Sequence, residues 1–224
     1  MISTEAEARA LVSELAADDG SALDRCERLL ALLAAENQQQ NLVSAASLAS
    51  AWVRHIADSA QLFRHVPRET SGPWLDLGTG AGFPGLVIAA LRPGMDVVMV
   101  ESRARRVDWL ERARITLGLD RARVIGSRLE MVESFPAAVI SARAFAPLDR
   151  LLALSARFST SDTIWLLPKG RSAWDEVNRL TGWESLFHVE HSLTDPEAGV
   201  VVGTVPQRSG PSTGESRGKK VRSK

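Results

Sequence analysis

An acidic residue and three glycines at alternate positions, Asp76-Leu-Gly78-Thr-Gly80-Ala-Gly82, end the short apolar run that begins at Trp74. Phe83, Pro84 and Gly85 follow, and Pro84 suits the first turn of a helix. Glycines are needed where a chain turns sharply and where a ligand lies against the backbone. In an open α/β sheet such a ligand sits at the carboxyl ends of the strands, where the strand order reverses. Gly80-Ala-Gly-Phe-Pro-Gly85 satisfies the spacing of a dinucleotide fingerprint. Glu101 closes the next apolar run, Val97-Val-Met-Val-Glu101, where a carboxylate can accept hydrogen bonds from both hydroxyls of a ribose. Its spacing suits a nicotinamide dinucleotide and S-adenosylmethionine equally.

Asp76 weighs between the two. An extra carboxylate beside a pyrophosphate is repulsive. Asp-x-Gly-x-Gly-x-Gly instead resembles motif I of class I methyltransferases, in which an acidic side chain helps to hold the cationic methionine end of S-adenosylmethionine. The resemblance implies cofactor contacts at Asp76, Gly78, Gly80 and Gly82, with Glu101 at the end of the next strand as a further candidate. Ser127-Arg-Leu-Glu130 follows the third apolar run, at a place that often flanks an adenine in such folds. No Asp/Asn-Pro-Pro-aromatic tetrapeptide follows the fourth run, which argues against methylation of an exocyclic amine. The single cysteine, Cys26, excludes a pair of the cytosine-C5 or uracil-C5 type and reads as a small buried helix residue. No metal-ligand cluster is present, since His188 and His191 fall on opposite faces of an expected strand. His55, taken alone, reads as a surface or capping histidine.

These residues need a frame. Residues 1–70 read as a helical cap. Ser21 with Asp24 resembles a capping box, and Leu23, Cys26, Leu30 and Leu33 recur at helical spacing. A second helix over Leu48 to Phe63 would carry Trp52, Ile56, Ala60 and Phe63 on one side. From residue 71 to 207 the pattern changes. Trp74 to Leu77, Val97 to Val100, Val124-Ile125, Val139-Ile140 and Ile164 to Leu167 alternate with helical stretches at Val107 to Leu117 and Leu148 to Phe158. Two further strands, Ser185 to Leu193 and Gly199 to Val205, flank a turn at Asp195 to Ala198. The expected fold is α/β: a Rossmann-like, doubly wound, mostly parallel seven-stranded sheet closed by an antiparallel hairpin.

Lys and Arg number 27 against 27 Asp and Glu, so the whole chain lacks the basic field of a non-specific nucleic-acid binder. Positive charge gathers in residues 208–224, where six Lys or Arg face one Glu in a Ser/Gly/Pro-rich segment. It reads as a disordered basic tail, either solubilising or helping to hold an RNA backbone. The chain shows neither a signal peptide nor a membrane-spanning run. A cytoplasmic monomer is expected.

Three blocks are more specific. Asn41-Leu-Val-Ser44 precedes Trp52-Val-Arg-His-Ile-Ala-Asp-Ser59; Asp76 to Gly85 follows; Ile140-Ser-Ala-Arg-Ala-Phe-Ala146 pairs with Leu167-Pro-Lys-Gly170. With these blocks the chain resembles the RsmG (GidB, glucose-inhibited division protein B) family of bacterial 16S rRNA guanine-N7 methyltransferases over roughly residues 20–205. The resemblance implies methyl transfer from S-adenosylmethionine to N7 of one guanine in the decoding region of small-subunit rRNA, with the rRNA or a small-subunit precursor as partner. By motif, cofactor contacts fall on Gly78, Phe83, Leu129, Glu130 and Arg143. Arg54, His55, Asp58 and Lys169 match positions that shape the active site or touch RNA, and Arg143 could also orient the guanine. Family members often carry Trp-Asn-Lys before the Asn-Leu block, where Glu36-Asn37-Gln38 stands here. A nicotinamide-dependent oxidoreductase is the alternative, although the chain has no Tyr and no second domain. A non-enzymatic RNA-binding relative is the third reading.

Overall fold

The structure is a computed structural model that describes residues 1–16, 19–180 and 186–204. Seven strands form one sheet: β1 (Trp74–Leu77), β2 (Val97–Glu101), β3 (Ala122–Gly126), β4 (Val139–Ala142), β5 (Ile164–Lys169), β6 (Phe187–His191) and β7 (Gly199–Thr204). Their order across the sheet is β3-β2-β1-β4-β5-β7-β6. The first five are parallel, and β7 lies antiparallel between β5 and β6. This is the expected mostly parallel sheet with a closing hairpin. The order reverses between β1 and β4, so a crevice opens at their carboxyl ends.

Both faces of the sheet are covered, which is why the strands are uninterrupted apolar runs. Alternate residues serve the two faces. Trp74, Val97, Met99 and Val139 pack into one apolar cluster, while Leu75, Leu77, Val98, Val100 and Ile140 pack into the other. On the first face lie α1 (Glu5–Leu15), α2 (Ala22–Asn37), α5 (Gly85–Leu91) and α6 (Ala104–Thr116). On the second lie α7 (Leu148–Ser155) and α8 (Ala173–Asn178). The N-terminal helices thus share a core with the sheet. Cys26 is fully buried in it. Arg112 of α6 pairs with the buried Glu36 at 2.9 Å, so the Glu36-Asn37-Gln38 departure is used for docking α2.

Two local expectations are corrected. The capping box belongs to Thr4 and Glu7 at the start of α1; Ser21 makes no side-chain cap bond. The second helix is not continuous. Its pieces are α3 (Ala45–Ala49), a π-helical turn at Trp52–Ala57, a single α turn, α4 (Asp58–Ala60), and a 3-10 turn at Gln61–His65. Trp52, Ile56, Ala60 and Phe63 are buried as expected. The wider π turn also carries Arg54 and His55 on the side facing the sheet's crevice; such turns are common at functional sites. The hairpin strand begins at Phe187; Ser185, Val205 and the basic tail lie outside the described residues. Among the described residues no helix is long and apolar enough to cross a membrane.

Candidate active site

Asp76 supports the glycine turn from beneath. It is fully buried, and its Oδ1 accepts a hydrogen bond from Ser141 Oγ at 2.8 Å. Its Oδ2 accepts from Gly85 N, the first residue of α5, at 3.0 Å. A Cβ at Gly85 would stand 2.9 Å from that carboxylate oxygen and 2.6 Å from Met99 Cγ, so only glycine lets α5 start this close to β1. Burial pushes the Asp76 carboxyl up to about 6. Trp74 Nε1 completes the chain by donating to Ser141 Oγ at 2.8 Å.

Above the turn a cleft of about 500 Å³ runs along the ends of β1, β2 and β3. Gly78, Glu101, Leu129 and Glu130 line it, together with Ser102, Arg106 and Ser127. Glu101 Oε1 accepts from Ser102 N and Arg103 N at 2.8 and 2.9 Å, at the N-terminus of α6. A helix N-terminus favours negative charge there. Glu101 Oε2 accepts from Gly80 N at 3.1 Å, and Arg106 Nη1 stands 3.8 Å away. The carboxylate therefore ties the glycine turn to α6 at the mouth of the cleft.

A second cavity, of about 770 Å³, lies on the other side of the Ala144–Pro147 segment. Arg54, His55, Asp58, Arg143 and Lys169 all line it. Residues of the π turn and α4 thus meet Arg143, just after β4, although Asp58 and Arg143 are 85 positions apart in the chain. Arg143 Nη1 donates to Asp58 Oδ2 and to the Arg54 carbonyl, each at 3.2 Å. Its Nη2 is 3.4 Å from His55 Nδ1. A guanidinium only donates, so Nδ1 accepts and the ring proton sits on Nε2. That Nε2 is buried with no hydrogen-bond partner among the described residues.

The surface or capping position expected of His55 is wrong: it is 4 % exposed. Burial, then the charges of Arg143 and Arg54, lower its pKa from 6.5 to about 4, so the imidazole is neutral. A polar ring is tolerated inside because it stacks on Phe83 and meets Arg143, both supplied by distant segments.

Asp58 is fully engaged. Its Oδ1 accepts from Thr194 Oγ1 at 2.8 Å and Gln61 Nε2 at 3.1 Å. Arg54 Nη1 pairs with Asp195 Oδ2 at 2.8 Å. Lys169 Nζ donates to the Ala146 carbonyl at 3.0 Å and to Glu176 Oε2 at 2.8 Å, so it fixes the segment between the two cavities.

The predicted residues therefore fall in three places. Gly78, Glu101, Leu129 and Glu130 face the cleft. Arg54, His55, Asp58, Arg143 and Lys169 face the second cavity, with Arg143 on that side rather than in the cleft. Asp76, Gly80, Gly82 and Phe83 belong to the turn and its support: Gly80 binds Glu101, a Cβ at Gly82 would run into Leu86, and Phe83 is buried under His55. Sequence reasoning missed Gln61, Thr194, Asp195 and Glu176, whose polar types carry no spacing signal. It also missed Phe145, which lines both cavities.

Residues 22–195 match the family described as rRNA small subunit methyltransferase G. A protein of Erythrobacter litoralis named ribosomal RNA small subunit methyltransferase G is 56% identical over 204 residues, covering 91% of this chain and 97% of that protein. The protein of the same name from Novosphingobium aromaticivorans is 58% identical over 203 residues, covering 89% and 88%. Among solved structures, a SAM dependent methyltransferase from Aquifex aeolicus aligns with a TM-score of 0.51 at 15% identity, over 66% of this chain and 90% of that one. A precorrin-6y C5,15-methyltransferase from Geobacter metallireducens aligns with a TM-score of 0.50 at 9% identity, over 75% and 92%. These two likenesses bear on the fold.

Proposed function

The chain belongs to the rRNA small subunit methyltransferase G family, and from that premise we propose that it transfers a methyl group from S-adenosylmethionine to N7 of one guanine in the decoding region of 16S rRNA. One observation carries the reading. Two cavities meet across a single short segment at the carboxyl ends of β1, β4 and β5, one beside the glycine turn and one lined by the family's Arg, His, Asp and Lys. The first is the donor site and the second the acceptor site.

The donor cleft fits the cofactor. Gly78 lines the cleft in the left-handed region, at φ 62°, with the Phe145 ring beside it. Glu101, Leu129 and Glu130 line this cleft, which supports a reading in which Glu101 accepts from the ribose hydroxyls and Leu129 and Glu130 flank the adenine. When bound, S-adenosylmethionine supplies an electrophilic methyl on a positively charged sulfur.

Among the described residues, the carboxylates lining the acceptor site are all paired and its imidazole is neutral, and no base is needed. Guanine N7 carries an in-plane lone pair and no proton at neutral pH, so it can attack the methyl directly. A new N7–C bond forms as the S–C bond breaks, and the positive charge passes to the base. The enzyme contributes alignment and field. Asp58 and the Arg54 carbonyl hold Arg143 in one place, and Arg143 fixes the neutral tautomer of His55. An arginine that read the base by donating to N7 would block the reaction. Here the Asp58 and Arg54 contacts hold the guanidinium to the cavity wall. Asp58 itself has both oxygens occupied and serves as the anchor.

Both sites are built from one chain, which supports action as a monomer on the rRNA or a small-subunit precursor in the cytoplasm. No part of the reading requires a metal ion. Calorimetric titration tests it: S-adenosylhomocysteine should bind at a single site, and NAD should not. Binding of NAD in preference would favour an oxidoreductase.

A further inference from the structure

The two cavities are separated by the segment Ala144 to Pro147, and Phe145 is its centre. The ring lies against the glycine turn: a Cβ at Gly78 would collide with its Cδ2–Cε2 edge. The segment is pinned on both sides of the ring. Asp58 holds Arg143, and Lys169 holds the Ala146 carbonyl. Ala144 sits in the left-handed region at φ 53°, an uncommon place for a residue with a side chain. Phe145 is half-buried and packs against the second apolar cluster with no hydrogen bond to hold it, so displacing the ring breaks only apolar contacts.

Methyl transfer needs the donor carbon and the acceptor nitrogen within about 3–3.5 Å and in line. An opening must therefore exist between the two cavities beside Gly78, where the ring now lies. On the reading of the two sites given above, we propose that Phe145 is a gate. Seating of S-adenosylmethionine on Gly78 displaces the ring into the acceptor cavity. There it offers an aromatic face on which the target guanine stacks, as aromatic side chains do with unpaired bases. Cofactor binding thus completes the RNA site. By linkage, cofactor and RNA must then strengthen each other's binding to the same degree.

The test uses the full chain, S-adenosylhomocysteine, and small-subunit particles that lack the methyl group. In the unaltered protein, saturating S-adenosylhomocysteine should raise particle affinity about fivefold or more. Phe145→Ala should leave S-adenosylhomocysteine affinity unchanged or tighter, because no ring has to be displaced. It should abolish the coupling and lower single-turnover methylation at least about tenfold. Phe145→Leu keeps an apolar side chain for folding without a flat face, and should behave like Phe145→Ala. Phe145→Trp should restore both coupling and rate. The gate is overturned if the unaltered protein shows no coupling, or if Phe145→Ala and Phe145→Leu keep the coupling and instead weaken S-adenosylhomocysteine binding. If the unaltered protein does not bind S-adenosylhomocysteine at all, the donor site itself is wrong, and the gate falls with it.

Discussion

The His55 imidazole lies on the Phe83 ring, with centroids 4.6 Å apart and planes 11° from parallel. One ring comes from the N-terminal helical segment and the other from the glycine turn. This stack joins the wall of the second cavity to the glycine turn, and Arg143 covers the same Phe83 ring from 5.4 Å.

The state of that imidazole is measurable. Its pKa is lowered from 6.5 to about 4, first by burial and then by Arg143 and Arg54. The unfolded chain takes up a proton at the ordinary value while the folded chain resists it. The contribution of His55 to stability is therefore complete above about 6.5 and is lost as pH falls toward 4. Asp76, pushed up to about 6 from 3.8, acts in the opposite sense, so a whole-protein melting curve mixes the two. A ring-proton NMR titration, assigned through His55→Gln, should show a midpoint near 4. A midpoint at 6.5 or above would contradict the buried, neutral tautomer.

Glu101→Gln should weaken S-adenosylhomocysteine binding at least about tenfold. Each charge-assisted bond is worth roughly 1.5–3 kcal/mol, and the amide retains only one acceptor oxygen. Calorimetry measures this directly. A variant that changes particle affinity but not cofactor affinity would remove Glu101 from the donor site.

Nucleophilic attack by N7 needs no deprotonation. The single-turnover rate should be nearly flat from about pH 6.5 to 8.5, since a required base would impose an acidic limb at its own pKa. Asp58→Asn should loosen Arg143 and weaken RNA binding while leaving a measurable chemical step. A rate that rises about tenfold per pH unit and disappears in Asp58→Asn would assign the proton-removing role to Asp58.

The tail, residues 208–224, lies outside the described residues. Its removal should leave cofactor binding intact and flatten the salt dependence of particle binding, because fewer counterions are released. An unchanged slope in a salt series would make the tail solubilising only.

Much of this architecture is legible in the residue order, for physical reasons. The strands stand out because both faces of the sheet are buried and each strand is a continuous apolar run. The glycine turn stands out because close approach at Gly78 and Gly85 tolerates no side chain. The break in the second helix is hidden, because Trp52, Ile56, Ala60 and Phe63 satisfy a regular helical stripe whether or not a π turn intervenes. The burial of His55 is hidden too, since its compensating partners, Phe83 and Arg143, come from other segments. Phe145 carries no charge, and only the fold reveals that it lines both cavities. Asp76 was legible as important but not in its orientation, which depends on Ser141 of the neighbouring strand.

The proposed reaction puts one methyl on one nitrogen in one RNA. Small-subunit particles from a strain lacking this protein should be incubated with the purified chain and methyl-labelled S-adenosylmethionine, and the rRNA digested to nucleosides and mapped. All label should be recovered as 7-methylguanosine, at a single decoding-region position of 16S rRNA. Label on another atom, at several positions or on large-subunit rRNA would contradict it.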